Sequence, residues 1–168
     1  MKTVFRGRPK MPVGYGIEQE YTDRDLVPWE KVEERLVSAR NYWIGSTIPG
    51  GRPHAMPVWG VWVEGAFFFS TDPVSRKGKN LAANPEVVVH LESGDDVVIL
   101  EGSVEDAVGH ADLKKVDLAY YAKYQFHMVG DEAPSGTILM LRPRKALAWS
   151  EHDFPKSATR WMFDVTSR

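Results

Sequence analysis

The sequence of 168 residues contains no cysteine, and this absence removes several kinds of chemistry. Disulfide frameworks, thiol nucleophiles and cysteine-ligated metal or iron–sulfur centres all require the thiol group. No apolar run approaches the roughly twenty residues that a membrane-spanning helix needs. The net charge is only -2, which gives no reason to expect nucleic acid or an anionic membrane as a partner. We therefore expect a protein of the cytoplasm.

Three familiar site motifs are also missing. The glycines at positions 50, 51, 60 and 65 do not form the Gly-x-Gly-x-x-Gly run that opens a helix in Rossmann nucleotide sites. No two histidines stand at ligand spacing on one helix, so we predict no metal site. The simplest interpretation of the histidines is as turn, strand and surface residues, at positions 54, 90, 110, 127 and 152. There is no Gly-x-Ser-x-Gly nucleophile elbow, and no residue stands out as an acid–base catalyst.

Short apolar segments separated by turn residues make up most of the chain, and they predict a β-rich fold. Their patterns indicate strands at 42–48, 54–63, 66–71, 86–91, 97–105, 137–141, 145–149 and 160–165. Glu64-Gly65 supplies a hairpin turn. Helical spacing predicts helices that begin at Pro28, just after Ser75 and at Ala111. Because the strands follow one another in hairpins, without regular alternation with helices, we expect an antiparallel barrel or sandwich.

The chain before Pro28 shows neither the strand period nor the helix period. Glycine, proline and charged residues are mixed there without a repeating apolar position. We interpret residues 1–27 as an arm that is disordered or lies along another surface, and residues 28–168 as one domain.

The strand at 66–71 leads into a short helix whose first turn carries Ser75, Arg76 and Lys77. Free backbone N–H groups and the helix dipole favour an anion at such a position, and the hydroxyl groups of Thr71 and Ser75 can add donors. Arg76 offers a planar fork to phosphate oxygens, whereas Lys77 acts as a point charge. The pattern predicts a phosphate site, although the same local pattern is also typical of a solvated basic turn.

Six tryptophans are numerous for a chain of this length. Most of them are expected to fill the core or an interface, because their large rings dominate buried area. Trp59 and Trp62 lie on the strand that leads to the phosphate turn, and we expect them to line a surface that suits a flat ring.

Two longer motifs resemble a known family. They are G-R-P-H-x-x-P-V-W at 51–59 and F-F-F-S-T-D-x-x-S-R-K-x-x-N-L-x-x-N-P at 67–85, followed by a strand that ends in Glu101-Gly102. The combination resembles the flavin-binding split-barrel family typified by pyridoxamine 5′-phosphate oxidase. The resemblance covers roughly residues 29–165. It implies a mainly β fold, a six-stranded antiparallel split barrel with a few flanking helices, that forms a homodimer with two FMN sites in clefts at the subunit interface.

The resemblance also implies roles for individual residues. Ser75, Arg76 and Lys77 would hold the flavin phosphate, with Ser70 and Thr71 alongside. The strand before the hairpin would touch the isoalloxazine ring, largely through the backbone of Met56, Pro57, Val58 and Trp59. The partner subunit would contribute a tryptophan and, about ten residues later, an arginine, and Trp149 and Arg160 fit that spacing.

Two departures from the vitamin oxidase argue against its substrate. Val61 stands where that oxidase has a lysine near the substrate phosphate, and Ser157-Ala158-Thr159-Arg160 replaces an Arg-x-His element. We therefore expect an FMN-binding oxidoreductase that acts on a small planar redox substrate and not on pyridoxamine phosphate. Two alternatives remain: a deazaflavin-dependent reductase of the same fold, and a non-enzymatic flavin- or haem-binding module.

Overall fold

The computed structural model describes residues 2–109, 111–130 and 136–164, which form ten strands and four α-helices. The elements are β1 (Lys2–Gly7), α1 (Trp29–Ser38), β2 (Tyr42–Thr47), β3 (Pro53–Val58), β4 (Val61–Val63), β5 (Ala66–Thr71), α2 (Arg76–Ala83), β6 (Glu86–His90), β7 (Asp96–Asp106), α3 (Leu113–Tyr124), β8 (Thr137–Leu141), β9 (Lys145–Ser150), α4 (Phe154–Ser157) and β10 (Thr159–Asp164). His110 and residue 165, the predicted end of the last strand, lie outside the described residues. Within them, no helix combines the length and apolar character needed to cross a bilayer.

The strands form one antiparallel sheet that curls back on itself. Its main path runs β1-β10-β9-β7-β6-β2-β3, and β7 also pairs with β8, which leads to β5 and then to β4. This confirms the predicted mainly β, antiparallel class. The strand count is ten where six were expected, in part because the segment at the N-terminus adds β1 and because the predicted strand at 54–63 is divided in two.

The core lies inside the curled sheet and is closed at one end by α1. Val32 and Leu36 of α1 are buried, and the ring of Trp29 meets the rings of Trp161 and Phe163 at 5.4 and 4.9 Å. Burying one such large side chain stabilises the fold by roughly 1.5–3 kcal/mol. The predicted start of this helix is confirmed, because Pro28 occupies its N-cap.

Trp62 belongs to this core, so the expectation that it lines a surface for a flat ring is wrong. Its side chain is only 6% exposed, and its ring lies 6.1 Å from that of Trp29. The indole Nε1 donates to a carboxylate oxygen of Glu33 at 3.1 Å. Helix α1 therefore packs against the apolar ring of Trp62 and accepts the hydrogen bond from its N–H.

A bend at Trp59-Gly60 separates β3 from β4, where the sequence predicted one continuous strand. A Cβ atom on Gly60 would lie 2.7 Å from the carbonyl oxygen of Phe68, so only glycine allows β5 to approach this closely. The hydroxyl group of Tyr124 accepts from the N–H of Gly60 at 3.0 Å and lies 2.9 Å from its carbonyl oxygen. The bend is therefore held by a side chain from α3.

Residues 1–27 were expected to form an arm that is disordered or lies along another surface, and the start of this segment lies along the sheet. β1 pairs with β10 at the sheet edge, from Lys2 opposite Asp164 to Gly7 opposite Arg160. Arg8 is 5% exposed, and its guanidinium donates to the carbonyl oxygen of Ala158 at 3.0 Å. This segment contributes an edge strand and a buried cation to the same fold.

Candidate functional site

A cavity of about 340 Å³ lies between β3, β5 and the start of α2. This volume is within the range of roughly 300–1,000 Å³ that small-molecule sites occupy. In the described part of the chain β3 pairs only with β2, and β5 pairs with β4 and β8. The chain pairs with β5 only after the bend at Gly60, through β4. β3 itself is therefore not joined to β5, and the cavity lies between these two strands. Its lining comprises His54, Met56, Pro57, Ser70, Thr71, Asp72, Ser75, Arg76 and Lys77.

The turn between β5 and α2 is held by its own hydrogen bonds. Ser75 caps the helix, because its Oγ accepts from the N–H of Gly78 at 3.0 Å. The same hydroxyl donates to the carbonyl oxygen of Asp72 at 2.6 Å, and an Asp72 carboxylate oxygen accepts from the N–H of Val74 at 2.8 Å. The proton of Ser75 is thus committed to the turn. The donors left for an anion are the cations, the first helix amides and the hydroxyl groups of Ser70 and Thr71.

Helix α2 sits unusually close to this turn because residue 78 is glycine. A Cβ atom there would lie 2.7 Å from the Cα of Pro73 and 2.8 Å from its carbonyl oxygen. Two side-chain amides fix the other face of the helix to β2: Asn80 donates to Ser46 at 3.3 Å and Asn84 donates to Thr47 at 2.9 Å. The first turn of α2 is therefore fixed beside the cavity.

The cavity has a surplus of positive charge. Among the described ion pairs, none includes Arg76 or Lys77. Burial lowers the pKa of Lys77, whose Nζ lies 5.5 Å from the centre of the Phe69 ring. Asp72 is the one carboxylate among the lining residues, and it is engaged by the N–H of Val74. An anionic group in the cavity would offset the desolvation of Lys77.

The inner face of the barrel becomes polar towards this cavity. His54, Met56 and Val58 are every second residue of β3, so their side chains lie on one face of the strand. Their partners on β2 are Ser46, Ile44 and Tyr42, in the same order. Val58, Ile44 and Tyr42 are core residues, whereas Ser46 is buried and hydrogen-bonded to Asn80. His54 lies at the polar end, and its Nδ1 is buried without a hydrogen-bond partner. His54 was not predicted from the sequence as a site residue. Its position two residues before Met56 places it on the same face of the strand, and this could have indicated it.

Seven of the eleven site residues predicted from sequence line this one cavity. They are Met56, Pro57, Ser70, Thr71, Ser75, Arg76 and Lys77. Val58 lies in the core at 8% exposure. Trp59 lies at the bend, where its ring stacks on that of Tyr124 at 4.7 Å and the guanidinium carbon of Arg40 is 5.7 Å from the Trp59 ring.

The remaining two predicted residues, Trp149 and Arg160, lie on β9 and β10 and do not line the cavity of their own chain. Trp149 packs against Phe154 at 5.6 Å, and the guanidinium of Arg160 lies 4.9 Å from the ring centre of Phe5. Arg160 pairs with Leu147, two residues before Trp149, so both side chains leave the same face of the sheet. Their contribution to a second subunit's site stays a prediction.

Three solved structures place this chain among similar folds. A conserved hypothetical protein of Mycobacterium tuberculosis is 22% identical, with a TM-score of 0.64 over 78% of this chain and 90% of that one. A heme binding protein of Mycobacterium smegmatis is 18% identical, with a TM-score of 0.57 over 73% of this chain and 54% of that one. A protein named F420 reductase is 22% identical, with a TM-score of 0.51 over 67% of this chain and 94% of that one. At these identities the likeness shows the fold alone.

The family is shown by the sequence itself. No curated protein sequence matches the chain. The sequence profile of the pyridoxamine 5′-phosphate oxidase family matches residues 28–150, which is well over half of the chain and includes every residue that lines the cavity. This chain therefore belongs to the pyridoxamine 5′-phosphate oxidase family.

Proposed function

We propose that the protein is an FMN-binding oxidoreductase of this family. The observation that carries the proposal is the cavity at the start of α2, where Arg76 and Lys77 stand without carboxylate partners among the described ion pairs. Arg76 would hold phosphate oxygens through its planar fork, and Lys77 would add a point charge. The first amides of α2 complete this anion site. The flavin, when bound, supplies hydride or electron chemistry.

The β3 side of the cavity suits the polar edge of a ring system. Pairing with β2 uses one edge of β3, and the other edge has no strand partner in the described ranges. Backbone N–H and C=O groups at an unpaired edge are available to a ligand. Met56 lies beside them with 45% of its surface exposed, so the same wall also offers apolar contact. In this proposal the cations of α2 hold the phosphate end of the flavin and the β3 edge holds the ring.

We propose a homodimer in which each cavity is completed by the second copy. Trp149 and Arg160, which the family resemblance assigns to the cofactor, lie away from the cavity of their own chain and share one sheet face. A two-fold symmetric contact would present that face to the partner's cavity, and symmetric dimers are the commonest assembly.

The proposed substrate is a small planar redox compound. Val61, aligned with the lysine of the vitamin oxidase, is only 2% exposed and packs in the core, so it offers neither charge nor access. Without a cation there, desolvation of a second phosphate would not be repaid. We expect turnover with quinone-like acceptors and negligible oxidation of pyridoxamine phosphate at saturating FMN. Formation of pyridoxal phosphate at an ordinary enzymatic rate, on the order of one per second, would contradict this proposal.

Two other cofactors are alternatives for the same cavity. A protein named F420 reductase shares the fold, and the phosphate of a deazaflavin would meet the same cations. A heme binding protein also shares the fold, and the cavity contains His54 and Met56, which are side-chain types that ligate haem iron.

The absorption spectrum and mass of the compound that co-purifies distinguish the three cofactors: FMN, a deazaflavin and haem. FMN, followed by steady-state reduction of that flavin by a nicotinamide, would support the oxidoreductase. A deazaflavin or a haem Soret band would replace it with the corresponding alternative. Bound FMN without turnover towards any nicotinamide or quinone would leave a flavin-binding module.

A further inference from the structure

We propose that His54 is an anion-binding residue of the cavity and donates a hydrogen bond from Nδ1 to the cofactor phosphate. The inference rests on the proposed function, since it needs a phosphate-bearing cofactor between β3 and α2. His54 was expected from sequence to be a turn, strand or surface residue. It is a strand residue of β3, and it also lines the cavity together with Arg76 and Lys77.

The first support is where the fold places the imidazole. His54 pairs with Ser46 across β2 and β3, and Ser46 accepts a hydrogen bond from the amide of Asn80 at 3.3 Å. Asn80 belongs to the same helix as Arg76 and Lys77. This contact attaches α2 to β2, and β3 is paired with the same strand. The strand that carries His54 and the helix that carries both cations are therefore both held by β2.

The second support is the unsatisfied nitrogen. Nδ1 of His54 is buried and has no hydrogen-bond partner. A buried polar atom without a partner costs free energy, and a bound ligand is a common reason for one in a cavity wall. Two polar groups of the same cavity lining are engaged elsewhere: Ser75 Oγ donates to the carbonyl oxygen of Asp72, and an Asp72 carboxylate oxygen accepts from the N–H of Val74.

The third support is the sign of the charge around it. Asp72 is the only carboxylate among the lining residues, against two cations. A neutral imidazole with its proton on Nδ1 can donate to an anion without itself becoming charged. The ligand atom that best fits a donor in a cavity with two cations is an anionic oxygen. A phosphate oxygen meets that requirement, and the ring of riboflavin does not.

Substitutions that separate the two ring nitrogens test the proposal. The amide nitrogen of asparagine can occupy the position of Nδ1, whereas that of glutamine corresponds to Nε2. Apo-protein is titrated with FMN and with riboflavin, which lacks the phosphate, and binding is followed by quenching of flavin fluorescence. His54→Ala is expected to raise the FMN dissociation constant about ten- to a hundred-fold, as loss of a hydrogen bond to a charged group implies. His54→Asn is expected to retain more FMN affinity than His54→Gln, and riboflavin binding should change less than about threefold.

Controls keep the outcomes distinct. His152→Ala removes an exposed histidine outside the cavity and should leave both flavins unaffected. Thermal melting of each apo variant shows whether the fold is retained. Unchanged FMN binding in His54→Ala, or equal losses of FMN and riboflavin, would overturn the role of His54 while leaving the flavin assignment intact. Failure of the wild-type protein to bind FMN would overturn the proposed function and this inference with it.

Discussion

Two adjacent side chains, Arg76 and Lys77, concentrate the charge of the cavity. Each is expected to contribute roughly 1.5–3 kcal/mol as a charge-assisted contact to phosphate. Arg76→Ala combined with Lys77→Ala should therefore raise the FMN dissociation constant by about two to four orders of magnitude, as measured by isothermal titration calorimetry. Riboflavin, which has the same ring and no phosphate, should bind the variant almost as it binds the wild-type protein.

Lys79→Ala is the matched control for that variant. Lys79 lies in the same helix, is exposed and does not line the cavity. Its loss removes one positive charge of α2 at a position outside the site, so FMN affinity should fall by less than about threefold. An equal effect of Lys79→Ala and the double variant would mean that general helix charge, and not direct contact, attracts the phosphate.

The burial of Lys77 predicts a pH dependence of cofactor binding. Desolvation lowers the pKa of this lysine, so its charged form is lost at a lower pH than that of an ordinary lysine. FMN affinity needs the charged form, which exists below the pKa of Lys77 and disappears as pH rises through it. We therefore expect FMN affinity to fall as the pH rises, and this fall to start at a lower pH than it would for an exposed lysine.

Lys77→Arg should remove this alkaline loss, because an arginine keeps its charge throughout the range. Dissociation constants for FMN and riboflavin are measured from pH 7 to pH 10 for both proteins. The ratio of the two constants isolates the phosphate contact from any titration of the flavin ring. A ratio that stays constant for the wild-type protein would show that Lys77 does not contact the phosphate.

Helix α2 depends on a single residue, Gly78, for its close approach to the turn before it. Alanine favours a helix over glycine by roughly 1 kcal/mol, yet Gly78→Ala should destabilise this protein. The added Cβ would lie 2.7 Å from the Cα of Pro73, so the helix must move away from the turn. We expect a loss of about 1–3 kcal/mol in the free energy of unfolding by urea, together with weaker FMN binding.

Ala82→Gly provides the reciprocal test in the same helix. Ala82 is exposed, so its replacement changes helix propensity without altering the contact with the turn. Its expected cost is up to about 1 kcal/mol, with FMN affinity retained. If Gly78→Ala were instead more stable than the wild-type protein, the close approach of α2 to Pro73 would not constrain residue 78.

The elements that the sequence predicted best are those whose signals are local. β5 and β8 have the predicted bounds, because each is a short apolar run between turn residues. The hairpin turn is also confirmed: Glu64 and Gly65 both adopt positive φ angles, of 49° and 79°. In the same way, Ser75, Arg76 and Lys77 were found together because they are consecutive in the sequence and open a helix.

The elements that the sequence missed depend on distant contacts. Gly60 bends the chain because Phe67, Phe68 and Tyr124 surround it, and no local pattern near Gly60 reports those residues. β1 lies at a sheet edge with four exposed residues, so it lacks the alternation that reveals a half-buried strand. Trp62 was misassigned for a similar reason, since its partners Trp29 and Glu33 lie in α1.

At the scale of the whole molecule, the proposed dimer makes each site dependent on two chains. Light scattering should give twice the monomer mass of 19.0 kDa. Arg160→Ala should weaken FMN binding although Arg160 does not line the cavity of its own chain. A monomer that binds FMN with full affinity would contradict the shared site.

Mixing two defective variants gives a sharper test of the shared site. The Arg76→Ala, Lys77→Ala protein is unfolded, mixed in equal amounts with Arg160→Ala and refolded, so that hybrid dimers form. Each hybrid has one site with every defect and one site with none, so about a quarter of all sites should recover high affinity. Refolding each variant alone is the control. No recovery in the mixture would place all the cofactor contacts within one chain.

β7 connects both parts of the sheet, and this has a consequence for how the molecule opens. Its eleven residues pair with β6 and β9, and its last three pair with β8. The strand is thus shared by the half of the barrel that carries β3 and the half that carries β5. The middle of β7 is paired on both sides, with β6 and with β9. We therefore expect its amide hydrogens to exchange with solvent only when the whole barrel unfolds. On this expectation, the two walls of the cavity, β3 and β5, fold and unfold together.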